Sequence, residues 1–270
     1  MTAHMRSPAL VAAFATVPRE HFVGAGPWRV RSPMDMAEYW TTEDADPRRV
    51  YHDVLIALDE SRGINNGQPS LWAFLLDQLD IAKGARVLHL GCGTGYYTAV
   101  VAELVGHGKI TAIEIHPGLA ERARAALAPW PQATISNADG AGTAFEPADV
   151  IIASAGATHP LPSWLDALKP GGRLMFPMTA LWRGGMLVIT RETKDGFSAR
   201  FLREVGFIDF RGARDSEVSR RLGAALARDG GKAVRSLRRD RHEKSRTCWL
   251  HGEGWCLSRR LPNAKQSPVL

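Results

Sequence analysis

The sequence predicts an α/β protein built on a doubly wound, mostly parallel sheet with an antiparallel end. Three observations carry this. The apolar run Val87-Leu88-His89-Leu90 leads directly into Gly91-Cys92-Gly93-Thr94-Gly95, so a buried strand enters a glycine-rich turn. Strand-like and helical segments then alternate from residue 86 to about residue 178, as in parallel strands joined by crossover helices. Beyond them, Met186 to Glu192 and Ala199 to Phe210 flank Lys194-Asp195-Gly196, which reads as a turn between paired strands.

Each element has a local reason. Ser7 can cap a short helix with Pro8 at its first position and Ala9 to Thr16 as its body. Residues 24–50 are irregular and rich in Gly, Pro and charge, and Tyr51 to Leu58 reads as extended. Ile64 to Pro69 is a polar loop. Ser70 to Leu79 follows as a helix, with Leu71, Phe74, Leu75 and Leu79 at helical spacing. Tyr96 to Val105 and Pro117 to Ala128 are the next helices, separated by the strand Lys109 to Ile115. Ala133 to Ser136 and Ala148 to Ser154 are further strands. Leu168-Lys169-Pro170-Gly171-Gly172-Arg173-Leu174 combines a helix stop, a tight turn and a fifth strand. Ser216 to Arg228 is a basic amphipathic helix, and Cys248 to Arg259 a hairpin turning at Gly252-Glu253-Gly254.

Composition narrows the class. A chain of 270 residues, 45% hydrophobic, can bury a full α/β core. No apolar run reaches a membrane span, so no membrane partner is expected. Ala9 to Val17 is short and lacks a cleavage site, which fits a helix and not a signal peptide. Three cysteines, Cys92, Cys248 and Cys256, favour reduced thiols and a cytoplasmic setting. Residues 213–270 carry 14 Lys and Arg against 6 Asp and Glu, whereas residues 1–212 carry 20 against 22. With no RNA-binding motif beside that charge, a solvated surface is expected and a nucleic-acid partner is not. His242, Cys248, His251 and Cys256 match no strong zinc-finger spacing, so no metal is expected there; Trp249 and Trp255 should pack the hairpin.

The glycine spacing selects the cofactor. The pattern is G-x-G-x-G, with Tyr96 where a dinucleotide fingerprint would place its third glycine. That form is similar to the loop of S-adenosylmethionine (SAM) methyltransferases. Gly91, Cys92, Gly93, Thr94 and Gly95 are then cofactor-binding, with Cys92 chosen for small size. Glu114, next to Ile115 at the tip of the second strand, can accept from both ribose hydroxyls. Asp139-Gly140, after the third strand, can reach the adenine amino group.

Further stretches narrow the family. Val17-Pro18-Arg19-Glu20-His21-Phe22-Val23, Tyr51-His52-Asp53 and Gln68-Pro69 precede the glycine loop, and Asp139-Gly140, Pro177 and Val205-Gly206-Phe207 follow it. Over about residues 8–212 the chain resembles the protein-L-isoaspartate O-methyltransferase family. The resemblance implies a Rossmann-like SAM-dependent methyltransferase acting on the free α-carboxylate of an isoaspartyl protein or peptide and initiating repair through a succinimide. It divides the chain into an N-terminal cap with the acceptor loop (1–80), a SAM-binding core (81–212) and a basic extension (213–270). The family places a Thr-Ile-Ser-Gln-Pro type loop near the acceptor; here Asn65-Asn66-Gly67-Gln68-Pro69 puts glycine in the serine position.

A carboxylate is already ionised near neutral pH, so methylating it needs orientation and water exclusion more than a general base. Asn65, Asn66 and Gly67 are the candidates for acceptor contact: the asparagines offer amide donors and Gly67 leaves backbone N–H groups open. Equally, both asparagines can shape the loop through Asx turns. Ser154, at the end of the fourth strand, can contact substrate or cap Ala155-Gly156 locally; a lone His159 is more often structural. Two other readings stand beside repair. One is a methyltransferase redirected to another peptide or small carboxylate. The other is a non-catalytic SAM-binding module holding an acidic partner through residues 213–270. The sequence does not set the oligomeric state.

Overall fold

The computed structural model describes residues 5–35, 38–142, 144–181 and 183–262. The chain forms two compact units, residues 1–140 and 141–270.

The first unit opens with α1 (Pro8–Thr16), where Ser7 Oγ accepts from Leu10 N at 3.3 Å as the expected cap. A short α2 (Glu20–Val23) leads to a small antiparallel sheet of order β2-β1-β3-β4, made of β1 (Arg29–Arg31), β2 (Trp40–Thr41), β3 (Leu55–Asp59) and β4 (Ile64–Asn65). Then come α3 (Pro69–Asp77), β5 (Arg86–Leu90), α4 (Tyr96–Val105), β6 (Lys109–Glu114), α5 (Pro117–Ala126) and β7 (Ala133–Asn137). Strands β5, β6 and β7 are parallel, with Val87 opposite Ile110 and Ile110 opposite Ala133. Every residue of α4 except Glu103 is buried, as its apolar composition requires of a helix packed on several sides.

Differences from the sequence reading fall where strands are short. Residues 24–50 contain β1 and β2, three and two residues long and without a buried alternating face to announce them. Residues 51–58 form a paired strand only from Leu55; Pro47–Tyr51 is a 3-10 helix capped by Asp46, whose side chain accepts from Arg48 N.

The second unit holds β8 (Ala148–Ala153), α6 (Pro162–Ala167), β9 (Leu168–Ala180), β10 (Arg183–Arg191), β11 (Phe197–Gly206), α7 (Ser216–Asp229), β12 (Ser236–Arg238), β13 (Cys248–Gly252) and β14 (Trp255–Ser258). Its strand order is β13-β14-β12-β11-β10-β9-β8. Only β8 and β9 run parallel; the remaining pairs are antiparallel. Trp164 meets Phe176 and Phe210 edge-on at 5.6 and 5.1 Å in the core. The basic helix α7 buries Val218, Leu222 and Ala225; Arg220 faces solvent, whereas Arg221 and Arg228 donate to the carbonyls of His251 and Trp249 on β13. The hairpin turn falls at Glu253-Gly254, with Gly254 at φ +72. Trp249 and Trp255 are buried, the second stacked on His159 with ring centres 6.2 Å apart. Strand β12 is absent from the sequence reading, having three residues and no turn signal. Among the described residues no helix is long and apolar enough to cross a membrane.

His89 on β5 is 2% exposed, and its Nδ1 lies 2.9 Å from Thr98 Oγ1. Burial pushes its protonation down from 6.5 to about 4. The unfolded chain therefore takes up this proton at higher pH than the folded one. The stability contributed by neutral His89 is complete above pH 6.5 and is lost as pH falls towards 4. We expect the stability advantage of the wild type over His89→Leu to shrink by about 2 kcal/mol between pH 7 and pH 5 in urea denaturation. A difference that does not change with pH contradicts a neutral buried imidazole.

Candidate active site

The glycine turn after β5 is held by its own backbone. Gly91, Gly93 and Gly95 have φ of +74, +59 and +94, the left-handed region that side chains disfavour. Gly91 N and Cys92 N both donate to Ile113 O, and Gly95 N to Cys92 O. A Cβ on Gly95 would stand 2.6 Å from Leu127 Cδ1, so this third glycine also allows close packing against the turn after α5. Burial pushes the Cys92 thiol well above its usual range; it is a small filler and not a nucleophile.

Glu114, 4% exposed at the end of β6, reaches back to this turn. Its Oε2 accepts from Gly93 N at 2.8 Å and its Oε1 from His116 N at 3.0 Å. Each carboxylate oxygen keeps a second acceptor position, and two such positions are what a ribose diol requires. The end of β7 is tied to the same corner, since Asn137 Nδ2 donates to Glu114 O at 2.8 Å and Ile115 O at 3.1 Å. Asp139 is exposed and Gly140 buried immediately beyond. Thr94 Oγ1 is buried with no hydrogen-bond partner among the described residues, a polar group of the turn left over for something bound there.

The acceptor loop is fixed from behind by Arg19. This guanidinium is 1% exposed and donates five hydrogen bonds. Nε reaches Asn66 Oδ1 at 2.9 Å, Nη1 the carbonyls of Val50 and His52, and Nη2 the carbonyls of Val54 and Gly67. Asp53 caps α3 from outside the helix: its Oδ1 accepts from Ser70 N at 2.8 Å, and its Oδ2 from Ser70 Oγ and Gln68 Nε2. Burial opposes ionisation of this carboxyl, but the bonds from Ser70 and Gln68 outweigh it and hold it below the usual range. Neither role is visible in the residue type alone, although both residues lie in the sequence stretches singled out above.

Asn65, Asn66 and Gly67 come together, with both side-chain carbonyl oxygens, the Asn65 amide and the Gly67 N–H engaged within the chain. Asn65 Oδ1 accepts from Gly67 N at 2.9 Å, closing an Asx turn, and Asn66 N donates to Ile56 O. The Gly67 N–H expected to be open is thus occupied, because the turn needs it. Gly67 itself has φ +70, and a Cβ there would lie 2.6 Å from Trp72 Nε1 and 3.3 Å from Tyr97 Cε2. Trp72 and Tyr97 stack with ring centres 4.6 Å apart and fill the space a serine side chain would use. The Tyr97 hydroxyl is buried without a partner among the described residues. Ser154 is half-buried just past β8 in the second unit, where Gly156 N donates to Ile208 O. His159 Nδ1 lies 2.9 Å from Thr158 Oγ1 and its ring packs on Trp255, a structural placement.

Comparison with known proteins extends the reading. The family model described as Protein-L-isoaspartate(D-aspartate) O-methyltransferase (PCMT) matches residues 2–214. Protein-L-isoaspartate O-methyltransferase 1 of Rhodopseudomonas palustris (strain HaA2) is 32% identical over 209 residues, 76% of this chain and 76% of that protein. Its namesake from Geotalea uraniireducens (strain Rf4) is 30% identical over 214 residues, 77% of this chain and 87% of that protein. A solved protein-L-isoaspartate O-methyltransferase aligns at 25% identity and a TM-score of 0.58; the alignment covers 82% of this chain and 64% of that one. A Plasmodium falciparum structure described as a PCMT shares the fold at 15% identity and a TM-score of 0.62, over 77% of this chain and 92% of that one.

The Gly67 geometry gives a direct expectation. A serine at this position combines a left-handed backbone, costing about 1–2 kcal/mol, with displacement of the Trp72 indole. Gly67→Ser should lose at least about 2 kcal/mol of stability in urea denaturation. A variant as stable as the wild type would mean that the loop can open around residue 67.

Proposed function

The chain belongs to the protein-L-isoaspartate(D-aspartate) O-methyltransferase family and is a SAM-dependent carboxyl O-methyltransferase, and we propose that Glu114 and the glycine turn hold its cofactor. The observation that carries this is the Glu114 carboxylate clamped to Gly93 N at the strand tip. The cofactor fits the residues present. The turn brings backbone close without side chains, Thr94 Oγ1 is unpartnered among the described residues, and Glu114 retains acceptor positions for a diol. Bound S-adenosylmethionine supplies a methyl group made electrophilic by its sulfonium. Glu114 orients the ribose. Asp139, exposed just past β7, is the acceptor for the adenine amino group in this reading.

The acceptor in this reading is a carboxylate, with an isoaspartyl peptide or protein as first candidate because the family is named for it. Such a group is ionised at neutral pH and needs no base from the chain. The chain's work is to fix the carboxylate and exclude water. One observation favours a second acceptor class, a different peptide or small-molecule carboxylate. The corner at Gly67 is closed by Trp72 and Tyr97, and the Asn65 and Asn66 carbonyls serve the loop. A hydroxyl missing from a water-excluded site costs on the order of 1–3 kcal/mol of transition-state stabilisation. On this reading turnover of isoaspartyl peptides is low, and the dedicated acceptor is one that this loop fits.

Two measurements test these statements. Glu114→Ala should weaken SAM binding by about 1.5–3 kcal/mol in calorimetric titration, the scale of a charge-assisted hydrogen bond pair. Unchanged affinity in a folded variant removes Glu114 from the cofactor site. With radiolabelled SAM and matched isoaspartyl and aspartyl peptides, label should enter the isoaspartyl peptide alone and leave as methanol in mild base. Label in neither peptide, with SAM bound, selects the other carboxylates; a base-stable product refutes carboxyl esterification.

A further inference from the structure

Residues 215–270 lie outside the family match. They contain a side-chain cluster that the cofactor and acceptor chemistry does not use. His242, Cys248, His251 and Cys256 are scattered along 15 residues at spacings no common finger motif has. The fold nevertheless gathers one ligand atom from each, all within 4.8 Å of one another. We propose that these four side chains form a closed, tetrahedral structural site for a divalent cation of the zinc class.

The strand register explains the gathering. His251 on β13 stands opposite Cys256 on β14, so the two side chains share a face. Cys248 stands opposite Ser258, two residues from Cys256 and therefore on that same face. Residues three apart on a regular strand point to opposite faces; the register shift between Cys248 and Leu250 cancels one step and brings Cys248 and His251 together. The fourth ligand comes from the loop between β12 and β13. That loop runs Asp240-Arg241-His242-Glu243-Lys244-Ser245-Arg246 and has no apolar residue to hold it down.

The distances and outer contacts are those of a ligand set. Cys248 Sγ lies 3.5 Å from His242 Nε2. Zinc at 2.3 Å from sulfur and 2.0–2.1 Å from nitrogen gives a tetrahedral S···N edge of about 3.6 Å. His242 Nδ1 lies 2.9 Å from Asp240 O, which takes its proton and leaves Nε2 as the free acceptor facing the cluster. Ser245 N points at Cys248 Sγ at 3.3 Å, the contact a thiolate would accept. His251 Nδ1 is buried with no hydrogen-bond partner among the described residues, a cost that coordination to a metal would remove. Both thiols are free and not joined to each other. Two thiolates and two neutral imidazoles balance the charge of a divalent cation. Binding releases two thiol protons to solvent and changes no oxidation state.

All four positions of the tetrahedron are protein ligands, so the site holds structure and does no hydrolysis. It staples the charged loop to the β13–β14 hairpin. The test uses the full-length chain, expressed with zinc and purified under reducing conditions. We expect close to one zinc per chain by elemental analysis. Replacement by cobalt should give the intense visible bands of a tetrahedral centre with thiolate-to-cobalt charge transfer. The Cys248→Ser, Cys256→Ser double variant should hold no metal while still binding SAM, and a strong chelator should lower the melting temperature of the wild type alone. Should that variant fail to fold, the cobalt spectrum of the unaltered chain decides. Zinc well below stoichiometry together with a cobalt spectrum lacking those bands overturns the proposal. So does a thiol titration that finds Cys248 and Cys256 disulfide-bonded in the active protein.

Discussion

The Arg19 guanidinium sits in a cage made almost entirely of backbone. Five N–H donors meet five oxygens: four carbonyls, from Val50, His52, Val54 and Gly67, and the side-chain oxygen of Asn66. No carboxylate is among these acceptors, and burial accordingly lowers the affinity of the group for its proton. An Arg keeps its charge under such a shift, because its starting value is so high. The cage therefore stays charged, and each carbonyl would cost about 1–3 kcal/mol if left buried and unpaired. This one side chain joins the start of α2, the turn that leads into β3 and the acceptor loop. The short β3–β4 pairing and the Asn66 N–H bond to Ile56 O hold the loop to β3, and Arg19 adds the tie to the start of α2.

That constraint decides what the acceptor loop can be. With Asn66 and the Gly67 carbonyl held by Arg19, the loop must turn sharply between them and Gln68. Asn65 accepts the Gly67 N–H to make the turn, and residue 67 lands at φ +70 against the Trp72 and Tyr97 stack. Only glycine satisfies both the backbone angle and the missing space. The departure from a serine-bearing loop is thus one linked change in packing, involving an aromatic pair and a turn, and not a single lost hydroxyl.

Legibility in the sequence followed the range of the interactions. The unit β5–turn–α4 is written locally: an apolar run, glycines at left-handed positions, then a helix without polar faces. The Ser7 cap, the prolines that start α1 and α5, and the hairpin at Glu253-Gly254 are local too. Arg19 is different, because its acceptors lie 31 to 48 residues away and four of them are carbonyls that any residue carries. Strands β1 and β2 are too short to show a period. The asparagine residues advertised two roles equally, and what the sequence did not show is that their side-chain carbonyl oxygens serve Arg19 and the Gly67 N–H. The Cys and His cluster was hidden by a register shift, since linear spacing assumes an unbroken strand.

The cofactor and acceptor sides of the first unit are built on opposite economies. The glycine turn is held by contacts within the chain: left-handed backbone, the Glu114 clamp on Gly93 and donation from Gly91 and Cys92 to the Ile113 carbonyl. Backbone fixed in this way spends little ordering free energy on binding, which suits the cofactor role proposed for the turn. The acceptor corner is equally rigid, but its polar groups face inward to Arg19 and its aromatic groups close the position next to Gly67. Such a corner selects by shape. If this corner receives the acceptor, as proposed, a carboxylate must reach the methyl group without a side-chain donor from residue 67. A flexible peptide backbone that relied on that donor would lose orientation first, and orientation is the main thing an already ionised nucleophile needs from its enzyme.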